Sequence, residues 1–474
     1  VKPEPVFPKY EGYLSDESHL PGRADAIVFP ENAAELSEAM RQAARDGTRV
    51  TVQGARTGLA GGAVPQGGLI VSLTRMNEAP ELAWSGACAH LHAQAGVTLE
   101  QIEAEAASCG LFFPPDPTEG TATIGGAYAT GASGMGGLRF GRMSRFVEGL
   151  SWVTPPGEIW RVGRGEYRFD DTGCMLPDGR LLKGSLAGMG AGCDLIDFLC
   201  GSEGRLGVAA DFRLRLLPEH AQRWGVVFFF PDDGAALAFA RRLYGRLESQ
   251  PEPLFACEYF NHCALGLIAA GGESGDPRAA LPAFPKSARA ALYAELRGDD
   301  AAALESMLMA LLELLAGAGG SGEDTWAQNG PGVKKLRKMR HRLAEAIHSR
   351  PGAREGGMRL NACFSAAPER FAECLDAYRK GLAQSGLDGA LYGHLFENRL
   401  HVSLHARGEN ERESCVELLR GFAGVAERFG GLRAPEYGEG KLPRPWDDTA
   451  SRRRREERMR ALAAFFDPSG LMGG

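Results

Sequence analysis

From Ala26 the chain reads as a strand ending at Pro30, a helix from Ala33 to Asp46 with Gly47 as its stop, and a strand Arg49–Gln53. This is a βαβ opening. A glycine-rich loop and a further strand, Leu69–Leu73, follow, so the N-terminal third is an α+β unit that presents backbone to a ligand. A second glycine-rich region spans Ile124 to Gly141, and the strand-like run Leu206–Leu217 ends at Pro218, which marks a domain boundary. Beyond it, apolar strands such as Val226–Phe230 alternate with Ala- and Leu-rich helices such as Ala235–Glu248 and Ala301–Ala316. That alternation predicts an antiparallel sheet covered by helices on one face. Loops rich in Gly, Pro and charge interrupt it around Gly271–Pro285 and Gly317–Gly332.

A chain of 474 residues, 44% of them hydrophobic, exceeds what one core organises, so two or three domains sharing a cleft are expected. The balance of 60 acidic against 53 basic residues leaves a net charge of -7 and argues against a broad phosphate-binding surface, so nucleic acid is not an expected partner. Ten cysteines are scattered without a CxxC pair or iron–sulfur spacing, as suits free thiols in a reducing cytoplasm. The most apolar stretches, Trp224–Phe230 and Met307–Leu315, are too short to span a bilayer, and Val1–Tyr10 lacks the pattern of an export signal. A cytoplasmic protein is expected.

Three segments carry candidate chemistry. The first, Gly54-Ala55-Arg56-Thr57-Gly58-Leu59-Ala60-Gly61-Gly62, directly follows a strand. A diphosphate needs several backbone N–H groups turned toward it, and glycines let the chain approach closely. Taken alone, such a loop fits a flexible surface turn equally well. The second joins Pro114-Pro115-Asp116-Pro117-Thr118 to Thr123-Ile124-Gly125-Gly126-Ala127-Tyr128-Ala129-Thr130-Gly131-Ala132-Ser133-Gly134. Its prolines fix the entry to a turn, while its small residues suit a flat ring laid against backbone. The third is Gly201-Ser202-Glu203-Gly204-Arg205-Leu206-Gly207.

In this order the three motifs resemble the FAD-binding domain of the vanillyl-alcohol-oxidase (PCMH-type) flavoproteins, and within them the glycolate oxidase and D-lactate dehydrogenase branch. The likeness covers most of residues 20 to 220 and resumes from 390 to 474. It implies an α+β fold. A two-subdomain PCMH-type FAD-binding domain would span 20–220, an antiparallel-sheet α+β substrate (cap) domain 221–430, and a C-terminal segment 431–474 would return to complete the active site. By the same resemblance the loop from Gly54 through Ala55, Arg56, Thr57, Gly58, Leu59 and Gly61 cradles the FAD diphosphate. Pro115, Asp116, Thr118, Gly125, Gly126, Thr130, Ser133 and Gly134 belong to the ribityl and isoalloxazine region, and Glu203, Gly207 and Val208 to the adenine side. Relatives that bond their flavin covalently through the first loop use a histidine there; this loop has none, which implies noncovalent FAD.

Near the C-terminus stands Tyr392-Gly393-His394-Leu395-Phe396-Glu397-Asn398-Arg399-Leu400-His401. A two-residue turn at Glu397-Asn398 makes His394 and His401 a directly opposed cross-strand pair able to share one cation; two ordinary half-buried histidines fit as well. The resemblance implies that His394, His401 and Glu436 bind a divalent metal (zinc, manganese or iron). It also marks a departure, since the family's Glu-His-Gly-x-Gly is Glu436-Tyr437-Gly438-Glu439-Gly440 here. The proton acceptor is then Tyr437, acidified by a nearby cation, or another group such as His394. On the helix Val333–His348, which carries Arg337, Arg340 and Arg342, the resemblance selects Arg340 as the clamp on a substrate carboxylate. A solvated basic face is the plain alternative, and Arg359 is a second candidate. Arg452–Arg455 reads as an exposed helix face or a docking patch for a redox partner.

The implied function is oxidation of a small D-2-hydroxy acid (D-lactate, glycolate or D-2-hydroxyglutarate). Electrons would pass to an external acceptor, namely a quinone, an electron-transfer flavoprotein or an iron–sulfur subunit, with peripheral membrane or complex association. The Glu-Tyr-Gly change, and the missing Asn-Pro in Phe466-Asp467-Pro468-Ser469-Gly470-Leu471-Met472-Gly473, keep two other classes open. One is a non-catalytic or electron-transfer flavin subunit of a larger oxidase; the other is an FAD enzyme acting on an ether-lipid precursor or aromatic alcohol.

Overall fold

A computed structural model of the protein describes residues 2–249, 253–270, 281–348, 358–395, 399–431, 438–447 and 449–472. The βαβ opening forms as the pattern predicts. Strands Ala26–Val28 and Val50–Gln53 both pair in parallel with Leu69–Ser72, and the helix Ala33–Asp46 makes the crossover. Asn32 caps that helix by accepting from the Glu35 amide, and Gly47 ends it in the left-handed region at φ 62°. A five-stranded antiparallel sheet follows, ordered Glu81–Ser85, Cys88–Gln94, Val208–Arg215, Val147–Val153, Ile159–Gly163. One continuous apolar core joins these two sheets through Leu36, Met40, Leu91, Ile102, Trp152 and Phe212.

Residues beyond Pro218 build a seven-stranded sheet whose six pairings are all antiparallel, with Gln222–Phe230, Ala290–Gly298, Leu254–Asn261 and Gly389–His394 at its centre. Its helices do not lie on one face alone, as the alternation had predicted. Four of them, Asp233–Ser249, Ala301–Gly317, Phe371–Ser385 and Glu409–Arg428, cover one face. The helices His262–Ala270 and Val333–His348 cover the other, together with Phe112 and Met135 of the N-terminal half. The reason is visible in the strands: every residue of Leu254–Asn261 is buried, so both faces need apolar cover. The C-terminal helix Ala450–Phe466 returns to the first core through Leu462 and Phe466, and the Val50 amide donates to Leu471 O at 2.8 Å. Among the described residues no helix is long and apolar enough to cross a membrane.

The arginine run on this last helix is exposed at Arg453 and Arg454 and half-buried at Arg452 and Arg455. Arg452 pairs with Glu456 at 2.7 Å and with the buried Asp447 at 3.5 Å, and Arg455 pairs with Glu439. Arg452 and Arg455 therefore tie the helix to the loop 438–447.

Candidate active site

A cavity of about 470 Å³ opens where the N-terminal half meets the far face of the seven-stranded sheet. Its floor is backbone. Gly54, Ala55, Arg56, Thr57, Gly58 and Leu59 line it, and among the described residues no N–H group from Ala55 to Gly62 donates to a protein acceptor. Eight successive amides without acceptors are costly unless water or a ligand takes them, and a diphosphate supplies the necessary oxygens. Arg56 holds the loop's shape, adopting φ 62° with its guanidinium 4.0 Å above the Tyr13 ring. A Cβ on Gly58 or Gly62 would come within 4 Å of a single protein atom each, so the floor stays open for a bulky group.

The second motif supplies the next stretch of wall: Thr118, Gly125, Gly126, Thr130 and Ser133 all line the cavity. The Thr118 hydroxyl is buried and has no partner among the described residues, another group that a bound cofactor would satisfy. Gly125 lies so close to Ala95 that a Cβ would stand 2.9 Å from its carbonyl oxygen. Glu203, Gly207 and Val208 close the far end beside Trp152. These features fit a dinucleotide lying along backbone.

Four residues assigned to the cofactor stand elsewhere. Gly61 packs against Leu20 and Leu442, Pro115 is buried behind the wall, and Gly134 abuts the Asp116 carbonyl. Asp116 turns its carboxylate away from the cavity to Arg337, whose Nη1 donates to Oδ1 at 3.2 Å. Glu203 does line the cavity, but its carboxylate accepts from the amides of Glu439 and Gly440 at 2.7 and 2.8 Å. It thereby anchors the loop that follows Glu436 and Tyr437, two residues that lie outside the described ones. The same loop reaches the cofactor floor, since the amides of Lys441 and Leu442 both donate to Ala60 O.

The roof comes from the seven-stranded half. Arg340, buried to 5% exposure, lines the cavity with its guanidinium 4.8 Å over the Tyr392 ring and Nε 3.7 Å from Glu258. Of the other arginines, Arg337 faces Asp116 and Glu295, Arg342 is buried without lining the cavity, and Arg359 donates to Ile347 O. Helical phase separates them: of the three helix arginines, only Arg340 lines the cavity.

The two histidines are not directly opposed. His394 pairs with Arg399 and His401 with Tyr392, a register two residues away from the one that a Glu397-Asn398 turn predicts; residues 396–398 themselves lie outside the described ones. They remain diagonal neighbours on one face, with ring centroids 6.0 Å apart at 75°. His401 lines the cavity and stacks on Tyr392 at 5.1 Å. His394 sits behind it, and its Nδ1 is hydrogen-bonded to the fully buried Glu258. Among the described residues no group of three or more His, Cys, Asp or Glu side chains could hold a metal ion. Glu436, the third residue of the expected metal set, lies outside the described residues.

Sequence reasoning missed Glu258, Tyr392 and His341. Glu258 and Tyr392 lie on neighbouring strands and meet the site only through sheet register. His341 follows Arg340 and lines the cavity, and its pKa is held below that of a free histidine by the surrounding protein and then by Arg340.

Comparison with known proteins agrees with this geometry. The FAD binding domain family matches residues 24–163, and the C-terminal domain family of FAD linked oxidases matches residues 219–473. The chain is 28% identical over 458 residues to D-2-hydroxyglutarate dehydrogenase of Xanthomonas citri pv. viticola, covering 94% of this chain and 88% of that protein. It is 27% identical over 448 residues to D-lactate dehydrogenase of Anaerostipes hadrus (91% and 85% covered) and 25% identical over 453 residues to the glycolate oxidase subunit GlcD of Bacillus subtilis (94% and 87%). A solved alkyldihydroxyacetonephosphate synthase shares the fold, with a TM-score of 0.64 at 14% identity over 95% of this chain and 77% of that one. With more than half of its length inside the second family match, the chain belongs to the FAD-linked oxidases and is an FAD-dependent oxidoreductase.

Proposed function

We propose that this protein oxidises a small D-2-hydroxy acid of the D-lactate, glycolate or D-2-hydroxyglutarate class. One observation carries the reading: backbone amides suited to a dinucleotide and the side chains Arg340, Tyr392 and His401 line the same cavity. FAD, held without a covalent bond along Ala55–Leu59 and beside Thr118, supplies the acceptor for the carbon-bound hydrogen and its electron pair. Arg340 takes the substrate carboxylate, because a planar guanidinium can donate two parallel hydrogen bonds to it. The base is His401. Its ring is fixed by Tyr392 on one side and by the edge of His394 on the other, and Glu258 in turn fixes His394. Losing the hydroxyl proton to this imidazole while the hydrogen on carbon departs leaves the 2-oxo acid. Tyr437 is the alternative acceptor.

A metal on His394, His401 and Glu436 is supported here only by the family likeness, and no step is assigned to one. All ten cysteines are free thiols, consistent with work in a reducing cytoplasm. The electrons leave for an external quinone, electron-transfer flavoprotein or iron–sulfur subunit, since the sequence has no iron–sulfur spacing of its own.

Anaerobic addition of the three acids to purified holoprotein tests the reading, with metal analysis on the same sample. At least one should bleach the flavin in the native protein. The His401→Asn variant should keep its flavin, still be bleached by dithionite, and react with the acid about 10²- to 10⁴-fold more slowly. Native protein that none of the acids bleaches refutes the substrate class, and a His401→Asn variant of native rate refutes the base.

A further inference from the structure

Asp116 belongs to the proline-rich turn that enters the cofactor wall, yet its carboxylate is bound by the other half of the molecule. Arg337 Nη1 donates to Oδ1 at 3.2 Å, Arg337 Nη2 also bonds Oδ2, and Arg297 Nη2 reaches Oδ2 at 3.4 Å. Behind these guanidinium groups lies Glu295, which is completely buried. It accepts from Arg337 Nε at 2.6 Å, Arg297 Nε at 2.6 Å and the Tyr293 hydroxyl at 2.7 Å, and Arg223 Nε lies 3.0 Å away. Burial alone would push the Glu295 carboxyl up, but Arg337, Arg297 and Arg223 hold it well below the usual carboxylate range. The Arg297 guanidinium is further clamped flat, 3.4 Å from the centre of the Phe255 ring.

Both ends of this cluster lead to the cavity in very few covalent steps. Asp116 is two residues from Thr118, whose hydroxyl is buried at the wall, and it is held at φ 45° with its carbonyl accepting from the Met135 amide. Arg337 is three residues, one helical turn, from Arg340. An exposed ion pair would contribute little. A half-buried fork joined to two carboxylates, one of them completely buried, instead sets a distance, because a fork–fork pair tolerates little change in length or angle.

We propose that Asp116, Arg337 and Glu295 form an interdomain tie that fixes the helix bearing Arg340 at a set height above the cofactor wall. They are positioning residues: none needs to touch substrate, and each acts through Arg340 or Thr118. The proposal rests on the hydroxy-acid reading for its kinetic consequence but not for its structural one.

The test uses two charge-conserving variants of the holoprotein, Asp116→Glu and Arg337→Lys. The first keeps the carboxylate but lengthens it by one methylene; the second keeps the cation but cannot serve both carboxylates through a planar fork. Melting temperature, flavin content, quenching of flavin fluorescence by iodide, and the limiting rate of flavin reduction at saturating acid are measured for each. A tie predicts near-native melting and flavin content, easier access of iodide to the flavin, and reduction about 100-fold slower, the scale of a misplacement of about 1 Å. Native quenching and native reduction in both variants would overturn it. So would rescue of every property by Asp116→Glu, which would show a charge neutraliser indifferent to distance. If no acid reduces even the native protein, the substrate reading fails while iodide access still decides the tie.

Discussion

Substituting Arg340 by lysine is expected to raise the dissociation constant of the hydroxy acid about 100-fold, roughly 2.7 kcal/mol, while leaving flavin content unchanged. Lysine keeps the positive charge that Glu258 sees at 3.7 Å, so no buried carboxylate is left without a counter-charge. It removes the planar fork, and an ammonium reaches a carboxylate only as a point charge. Stacking on Tyr392 weakens with it, since the guanidinium now sits 4.8 Å over that ring. The concentration dependence of anaerobic flavin reduction measures the effect. A change below about threefold would move the carboxylate to another group, with His341 on the same helix the next to examine.

Gly134→Ala is expected to disrupt the cofactor wall from behind. An added Cβ would stand 1.9 Å from the Asp116 carbonyl oxygen, 2.2 Å from its carbon and 2.4 Å from the Pro117 nitrogen. All three are backbone atoms inside a turn stiffened by three prolines, so no side chain can swing aside. The turn must shift, and overpacking of this kind costs about 1–3 kcal/mol. Because the turn carries Thr118 to the cavity and Asp116 to Arg337, FAD affinity should fall along with stability. Thermal unfolding and FAD titration of the apoprotein check both, and native values for both would show that the turn has more freedom than the geometry allows.

These two sites also show what could be read from the sequence. Glycines announce themselves, because close approach and left-handed backbone exclude side chains regardless of what lies elsewhere. That local demand made the first and second motifs legible as a backbone cradle. It could not show which small residues face the ligand: Gly125 and Gly126 line the cavity, while Gly134 only makes room for Asp116. Arg340 was reached through the family likeness, and its separation from Arg337 follows in the structure from helical phase. The carboxylates behind these arginines, Glu258 and Glu295, lie far off in sequence on strands whose pairing no local signal fixes. The histidine register was misread for a related reason. A register shift of two residues moves His401 from opposite His394 to opposite Tyr392, and both registers keep the histidines on the same face. Helical cover on the second sheet face was missed because a strand buried on both sides loses its alternation and reads only as apolar.

The central claim, that one cavity seats both the dinucleotide and the acid, is tested most directly by the crystal structure of the holoprotein with oxalate, a non-reducing carboxylate. FAD diphosphate oxygens are expected on the amides of Ala55 to Leu59, and a carboxylate of oxalate on Arg340, on the side lined by His401. Diphosphate away from that loop, or oxalate bound to a different cation with Arg340 untouched, would contradict it.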